Sequence, residues 1–104
     1  VLQHRVLGDA AHPMLQYLAQ GACQALEDAV VLADALAAHD DPAAAFTDYR
    51  DRRYLRTARV QYSARLFGEI WHVGDVGATL RDAMLASRRD DDFAHVEWLY
   101  GWRP

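Results

Sequence analysis

From about residue 23 to residue 38 the apolar side chains Leu26, Ala29, Val30, Ala33, Leu36 and Ala37 recur at intervals of three and four, the spacing that places them on one side of an α-helix. No other stretch restricts the fold as strongly. A helix with such a stripe buries it, so Leu26, Val30, Ala33 and Leu36 are expected in the core. Glu27 and Asp28 fall in its first turns, where the positive end of the helix dipole favours anions. His39, Asp40, Asp41 and Pro42 stop it. Asp41 followed by Pro42 is also an N-cap and first-turn pair for a second helix, so two antiparallel helices are predicted at the centre of the chain.

The second helix is predicted from about residue 42 to near Trp71, with Gly68 the point where it bends or ends. Its apolar and aromatic members, Phe46, Tyr49, Tyr54, Val60, Tyr62, Leu66, Phe67 and Ile70, keep no clean interval and leave its register open. A turn at 73–76, a third helix at 77–87 using Leu80, Met84 and Leu85, a charged loop at 88–92 and a short helix within 93–102 complete the reading. Upstream, residues 1–7 (VLQHRVL) look like a strand, yet nothing later resembles a second strong strand to satisfy its backbone. The fold class is therefore mostly α: one unit over residues 1–104, a short N-terminal strand followed by three to four packed helices, with the unpaired strand pointing to a piece of a larger protein.

Composition narrows the function classes. With 52% apolar and 25% charged residues the chain folds rather than staying disordered. Its 11 basic residues are all arginine, which excludes Schiff-base and P-loop lysines. A net charge of −4 argues against binding nucleic acid by charge, and no apolar run reaches the roughly 18 residues of a membrane span. The single cysteine, Cys23, cannot form an internal disulfide and fits a reducing cytoplasm. His4, His12, His39, His72 and His95 show no ligand spacing, so no metal site is expected. Arg52, Arg56 and Arg59, with Arg53 beside them, read as a solvated helix face on which Asp48 pairs with Arg52 four residues on. Trp71, Trp98, Tyr100 and Trp102 read as core or interface anchors.

Chemistry concentrates in residues 8–28, GDAAHPMLQYLAQGACQALED. An acid follows a strand end, then comes a glycine-containing loop, then a helix N-terminus with free N–H groups. That arrangement suits a polyhydroxylated or anionic ligand, because the carboxylate accepts hydroxyl hydrogen bonds and the helix end stabilises negative charge. A Gly-Asp turn before a helix is also ordinary punctuation. The residues alone leave both readings standing.

The same run, GDAAHP followed at this spacing by ALEDAVVLADAL, resembles the second FAD-binding segment of the single-component FAD-dependent aromatic hydroxylases, which are flavoprotein monooxygenases. The resemblance implies that Asp9 binds the ribityl chain of FAD. It implies that the backbone at Gly21, Ala22 and Cys23 faces the pyrimidine edge of the flavin, with Cys23 a small buried side chain packed under it, and that His12 belongs to the loop's structure. Within the family the pattern Pro13-Met14, Gln16-Tyr17, Ala19-Gln20-Gly21-Ala22 and Ala25-Leu26-Glu27-Asp28 is similar to that of the 3-hydroxybenzoate 6-hydroxylases, and so are ARVQYSAR, Trp71-His72 and the closing EWLYGW. Gln16 discriminates, since many relatives carry proline there, and the likeness implies that it orients the substrate. In the family NAD(P)H reduces the FAD and O2 supplies the hydroxyl group; an aromatic substrate and NAD(P)H are thus the implied partners, with room for a homodimer. The family's GxGxxG turn, its DG motif and the residues that deprotonate the phenol are missing, so the chain is expected to be the C-terminal part of an FAD-binding α/β monooxygenase, inactive by itself. The alternative is a noncatalytic helical self-association module, or a proteolytic remnant of such an enzyme.

Overall fold

The computed structural model describes residues 6–104. Residues 1–5, which hold most of the expected strand, lie outside the described residues, and Val6 and Leu7 have no regular structure. Two 3₁₀ turns, Gly8–Ala10 and Gln16–Leu18, lead into α1 (Gly21–Ala38), α2 (Pro42–His72), α3 (Asp75–Ala86) and the single-turn α4 (Glu97–Tyr100). The break between the long helices follows the sequence signal. The Asp41 carboxylate accepts a hydrogen bond from the Ala43 N–H at 3.1 Å, and Pro42, which has no N–H to satisfy, takes the first helical position.

Helix α2 runs unbroken through Gly68, and its register becomes clear only in three dimensions. The buried positions Ala45, Tyr49, Arg53, Thr57, Val60, Ala64 and Gly68 step by four or three along one side. Most are small, so α2 packs at close range, while Tyr54, Tyr62 and Leu66 point to solvent. Two apolar clusters result. Leu18, Val60, Ala64 and Leu99 form one with Met14, Phe67 and Trp98 against it. Val31, Ala35, Ala45 and Tyr49 form the other, flanked by Leu32 and Trp102. Trp71 and Tyr100, expected as anchors, are exposed among the described residues.

The face of α1 expected in the core lies outside it. Leu26 is 70% and Val30 51% exposed, and Ala33 and Leu36 are exposed as well. The side turned toward α2 carries Gln24, Asp28, Val31 and Ala35 instead. The reason is that α1 is apolar on two opposite sides, and ion pairs to α2 select the side with fewer apolar residues. A helix with apolar residues on two sides belongs between two layers, of which the described residues supply one. Helix α3 buries none of its residues, and Val76, Leu80 and Met84 stay open.

The loop before α1 is held from α2. Gln61 donates from Nε2 to the Pro13 carbonyl at 2.8 Å, and the Tyr17 ring meets His72 edge-on at 5.6 Å between centroids. Gly68 makes this possible, since a Cβ there would stand 2.5 Å from Tyr17 Cε2. Gly68→Ala is expected to push Tyr17 and its turn outward and cost about 1–3 kcal/mol, the usual range for overpacking. Urea unfolding monitored by circular dichroism checks it; an unchanged midpoint would contradict the contact.

Candidate functional site

The turn Gly8–Ala10 begins with Gly8 at φ +61°, a left-handed conformation that glycine adopts without strain, and a Cβ there would also press on Ala25 at 3.3 Å. The amides of Ala11 and His12 both donate to the Gly8 carbonyl at 3.0 Å, closing the turn. Asp9 sits at its apex, exposed, and its carboxylate makes no hydrogen bond among the described residues. It lies against the start of α1, where a Cβ on Gly21 would stand 3.6 Å from Asp9 Oδ1. No side chain caps α1, so the first-turn amides of Gly21, Ala22 and Cys23 remain open. The structure thus brings Asp9 and the three helix-end residues together. Cys23 is exposed rather than buried, because nothing among the described residues covers its side chain. Gln16 occupies the separate turn Gln16–Leu18, exposed and without a side-chain hydrogen bond among the described residues, held in place by its neighbours Tyr17 and Leu18.

Behind the turn lies a buried charge network. Asp28, completely buried, accepts at Oδ2 from the Gly8 N–H (2.8 Å) and from His12 Nε2 (2.5 Å), and at Oδ1 from Arg53 Nε (2.7 Å). Arg53 also donates to Glu27 Oε2 at 2.7 Å and Gln24 Oε1 at 2.8 Å. Arg56 grips both Glu27 oxygens, at 2.6 and 2.7 Å, and donates to the carbonyls of Trp98 and Leu99 at 2.9 and 3.0 Å, which docks the C-terminal segment. Its guanidinium lies 4.6 Å from the centre of the Trp102 ring, and Arg59 lies 3.9 Å from that of Trp98. Burial pushes the Asp28 carboxyl upward, but hydrogen bonds from His12, Gly8 and Arg53 outweigh it and hold it below the ordinary 3.8. Glu27, raised by burial and lowered more strongly by Arg56 and Arg53, likewise sits below 4.5. Burial, then the Asp28 charge, pushes the Tyr49 hydroxyl up to about 12. With Asp28 ionised, His12 donates from Nε2, and its buried Nδ1 has no partner. Among the described residues no cluster of three or more His, Cys, Asp or Glu could hold a metal ion, and no helix is long and apolar enough to cross a membrane.

A 3-hydroxybenzoate 6-hydroxylase of Klebsiella oxytoca is 47% identical over 100 residues, which is 94% of this chain and 25% of that protein. The 3-hydroxybenzoate 6-hydroxylase of Polaromonas naphthalenivorans is 46% identical over 99 residues, again a quarter of its length (25%). Over nearly all of its length the chain is similar in sequence to hydroxybenzoate hydroxylases. A 3-amino-4-hydroxybenzoate 2-monooxygenase of Streptomyces platensis, 48% identical over 98 residues and matched over 24% of its length, widens the group. No protein-family profile matches the chain. The chain therefore spans about a quarter of the length of the relatives it matches.

The residues that sequence reasoning passed over are Asp28, Arg53 and Arg56. Arg53 and Arg56 were expected on a solvated face; they are the charged core of the α1–α2 contact, because Glu27 and Asp28 face them across the interface rather than capping the α1 dipole. Arg52 and Arg59 are exposed as expected, and Arg52 lies closest to Asp34 of α1 at 2.6 Å, with its expected partner Asp48 at 3.9 Å. The usable signal was an adjacent acid pair inside a mostly apolar helix, opposite arginines spaced i, i+3.

Proposed function

We propose that residues 1–104 form the C-terminal, flavin-contacting unit of a monooxygenase that hydroxylates a phenolic aromatic acid of the 3-hydroxybenzoate type, using FAD, NAD(P)H and O2. The observation that carries this is Asp9: an exposed carboxylate with no hydrogen-bond partner among the described residues, set beside the uncapped first turn of α1. These groups fit the flavin by chemistry. A free carboxylate accepts hydrogen bonds from the hydroxyls of a ribityl chain, and open helix-end amides at Gly21, Ala22 and Cys23 stabilise negative charge on the pyrimidine edge. When bound, the flavin supplies electron transfer from NAD(P)H and activation of O2. The residues of this chain anchor and orient. Gln16 offers both a donor and an acceptor to the substrate from a turn that α2 fixes through Tyr17.

The two roles separate by mutation of the full-length enzyme. Asp9→Ala is expected to lose FAD first. Gln16→Ala is expected to keep FAD but to release about tenfold more peroxide per NADH consumed, the scale of one oriented hydrogen bond worth about 1.4 kcal/mol. Flavin absorbance and the ratio of product to NADH report the two outcomes. If Gln16→Ala sheds FAD while its residual holoenzyme hydroxylates normally, Gln16 does not serve the substrate.

A further inference from the structure

The carboxylate that shapes the Asp9 turn sits in the next helix. Asp28 Oδ2 takes two donors from one short segment: the Gly8 N–H, one residue before Asp9, and His12 Nε2, three residues after it. One oxygen therefore ties both ends of the turn. The other oxygen faces Arg53, which is also held by Glu27 and Gln24. The division of labour matters. Arg53 keeps two further acceptors without Asp28, so the α1–α2 contact has other supports; the turn's other side-chain ties among the described residues fall outside residues 8–12, from Tyr49 to the Val6 carbonyl at 3.3 Å and from Gln61 to the Pro13 carbonyl at 2.8 Å. Gly8 is itself buried, in a left-handed conformation and close to Ala25, so the turn has one fitted position rather than a range of them.

We propose that Asp28, with His12, is a positioning residue for the flavin site: it fixes the turn so that the Asp9 carboxylate stands ready at the N-terminus of α1. The proposal rests on the assignment of Asp9 as the ribityl ligand. It treats flavin affinity as a matter of preorganisation, in which a tethered turn avoids the ordering cost of binding. Asp28 touches neither cofactor nor substrate in this account and acts only through Asp9.

The test uses apoenzyme of the full-length protein titrated with FAD by fluorescence quenching, with apoenzyme melting temperature measured in parallel. Asp28→Asn keeps the shape but presents a donor either to Arg53 or to the turn, and His12→Leu removes one tether while leaving the Arg53 pair whole. Each is expected to weaken FAD binding by tenfold or more and to leave the KM for the aromatic acid unchanged in reconstituted enzyme; His12→Leu should do so with little change in apoenzyme melting temperature, whereas Asp28→Asn, which also takes the charge from the Arg53 pair, should lower it. The same substitutions made on an Asp9→Asn background are expected to add almost nothing, since the group they position is already gone. Wild-type FAD affinity in His12→Leu, or a loss equally large with Asp9→Asn, overturns the proposal. Should Asp28→Asn fail to fold, His12→Leu decides alone. Asp9→Asn with unaltered FAD affinity would instead sink the ribityl assignment; weakened binding in Asp9→Asn beside normal binding in His12→Leu sinks only the positioning role.

Discussion

Arg53→Ala is expected to lower the unfolding free energy of the chain by about 3–5 kcal/mol, the cost of leaving a buried ion pair with one member. The side chain is 3% exposed and donates to Asp28, Glu27 and Gln24, so its loss takes the charged partner from buried Asp28, which keeps only Gly8 and His12 as donors, and removes one of the four hydrogen bonds to Glu27. It also takes away a guanidinium 5.4 Å from the Trp102 ring. A chain of this size has about 5–15 kcal/mol in all, so the variant should be largely unfolded at moderate urea. Arg52→Ala, which removes an exposed arginine one residue earlier, is expected to change stability by less than about 0.5 kcal/mol. Urea titrations of both variants provide the check, and an Arg53→Ala midpoint near wild type would mean the network contributes little. Acid tests the same network from the carboxylate side. Because the folded values of Asp28 and Glu27 are depressed, their contribution is complete above the ordinary values of 3.8 and 4.5 and is lost as pH falls through the lower folded values. Stability should therefore fall below about pH 4 on account of these two groups, and more gently in Arg53→Ala, where the depression is relieved.

Leu26→Gln combined with Val30→Gln is expected to behave oppositely in two settings. In the 104-residue chain both positions are more than half exposed, and glutamine suits a helix, so stability should shift by less than about 0.5 kcal/mol. In the full-length enzyme we expect a loss of about 3–6 kcal/mol, the transfer free energy of two large apolar side chains out of a core. The occupant we propose for that face is the remainder of the enzyme proposed above: the chain matches only 25% of the Klebsiella relative's length, and α1 is apolar on a side that nothing among the described residues covers. Thermal melts of the full-length protein with and without the two changes decide it. Full tolerance in the complete enzyme would show that α1 faces solvent there too.

Helix boundaries were legible from local chemistry. Asp41 and Pro42 satisfy the first turn of α2 by themselves, and Gly8 and Asp9 mark a turn in any context. The buried side of each long helix was not legible. An apolar-period reading of α1 chose Leu26 and Val30, and the ragged aromatics of α2 concealed a stripe of small residues, because a period counts hydrophobicity while a close helix contact rewards small volume. Arginines 53 and 56 misled for a related reason. Charge on a helix is usually solvated, and only a partner helix presenting acids at matching height makes burial affordable.

The sequence by itself determined that the chain is helical after its first turn, that Asp9 precedes a helix N-terminus, and that its relatives hydroxylate aromatic acids as longer proteins. These follow from neighbours along the chain and from residue identity. Tertiary structure alone decided that Asp28 ties the Asp9 turn to α1 and, through Arg53, to α2, that the α1–α2 contact is closed by charge, and that the more apolar side of α1 is left open. Those outcomes depend on which groups meet across some 20 or more residues of sequence, as Gly8 meets Asp28 and Asp28 meets Arg53, and no local pattern encodes that meeting.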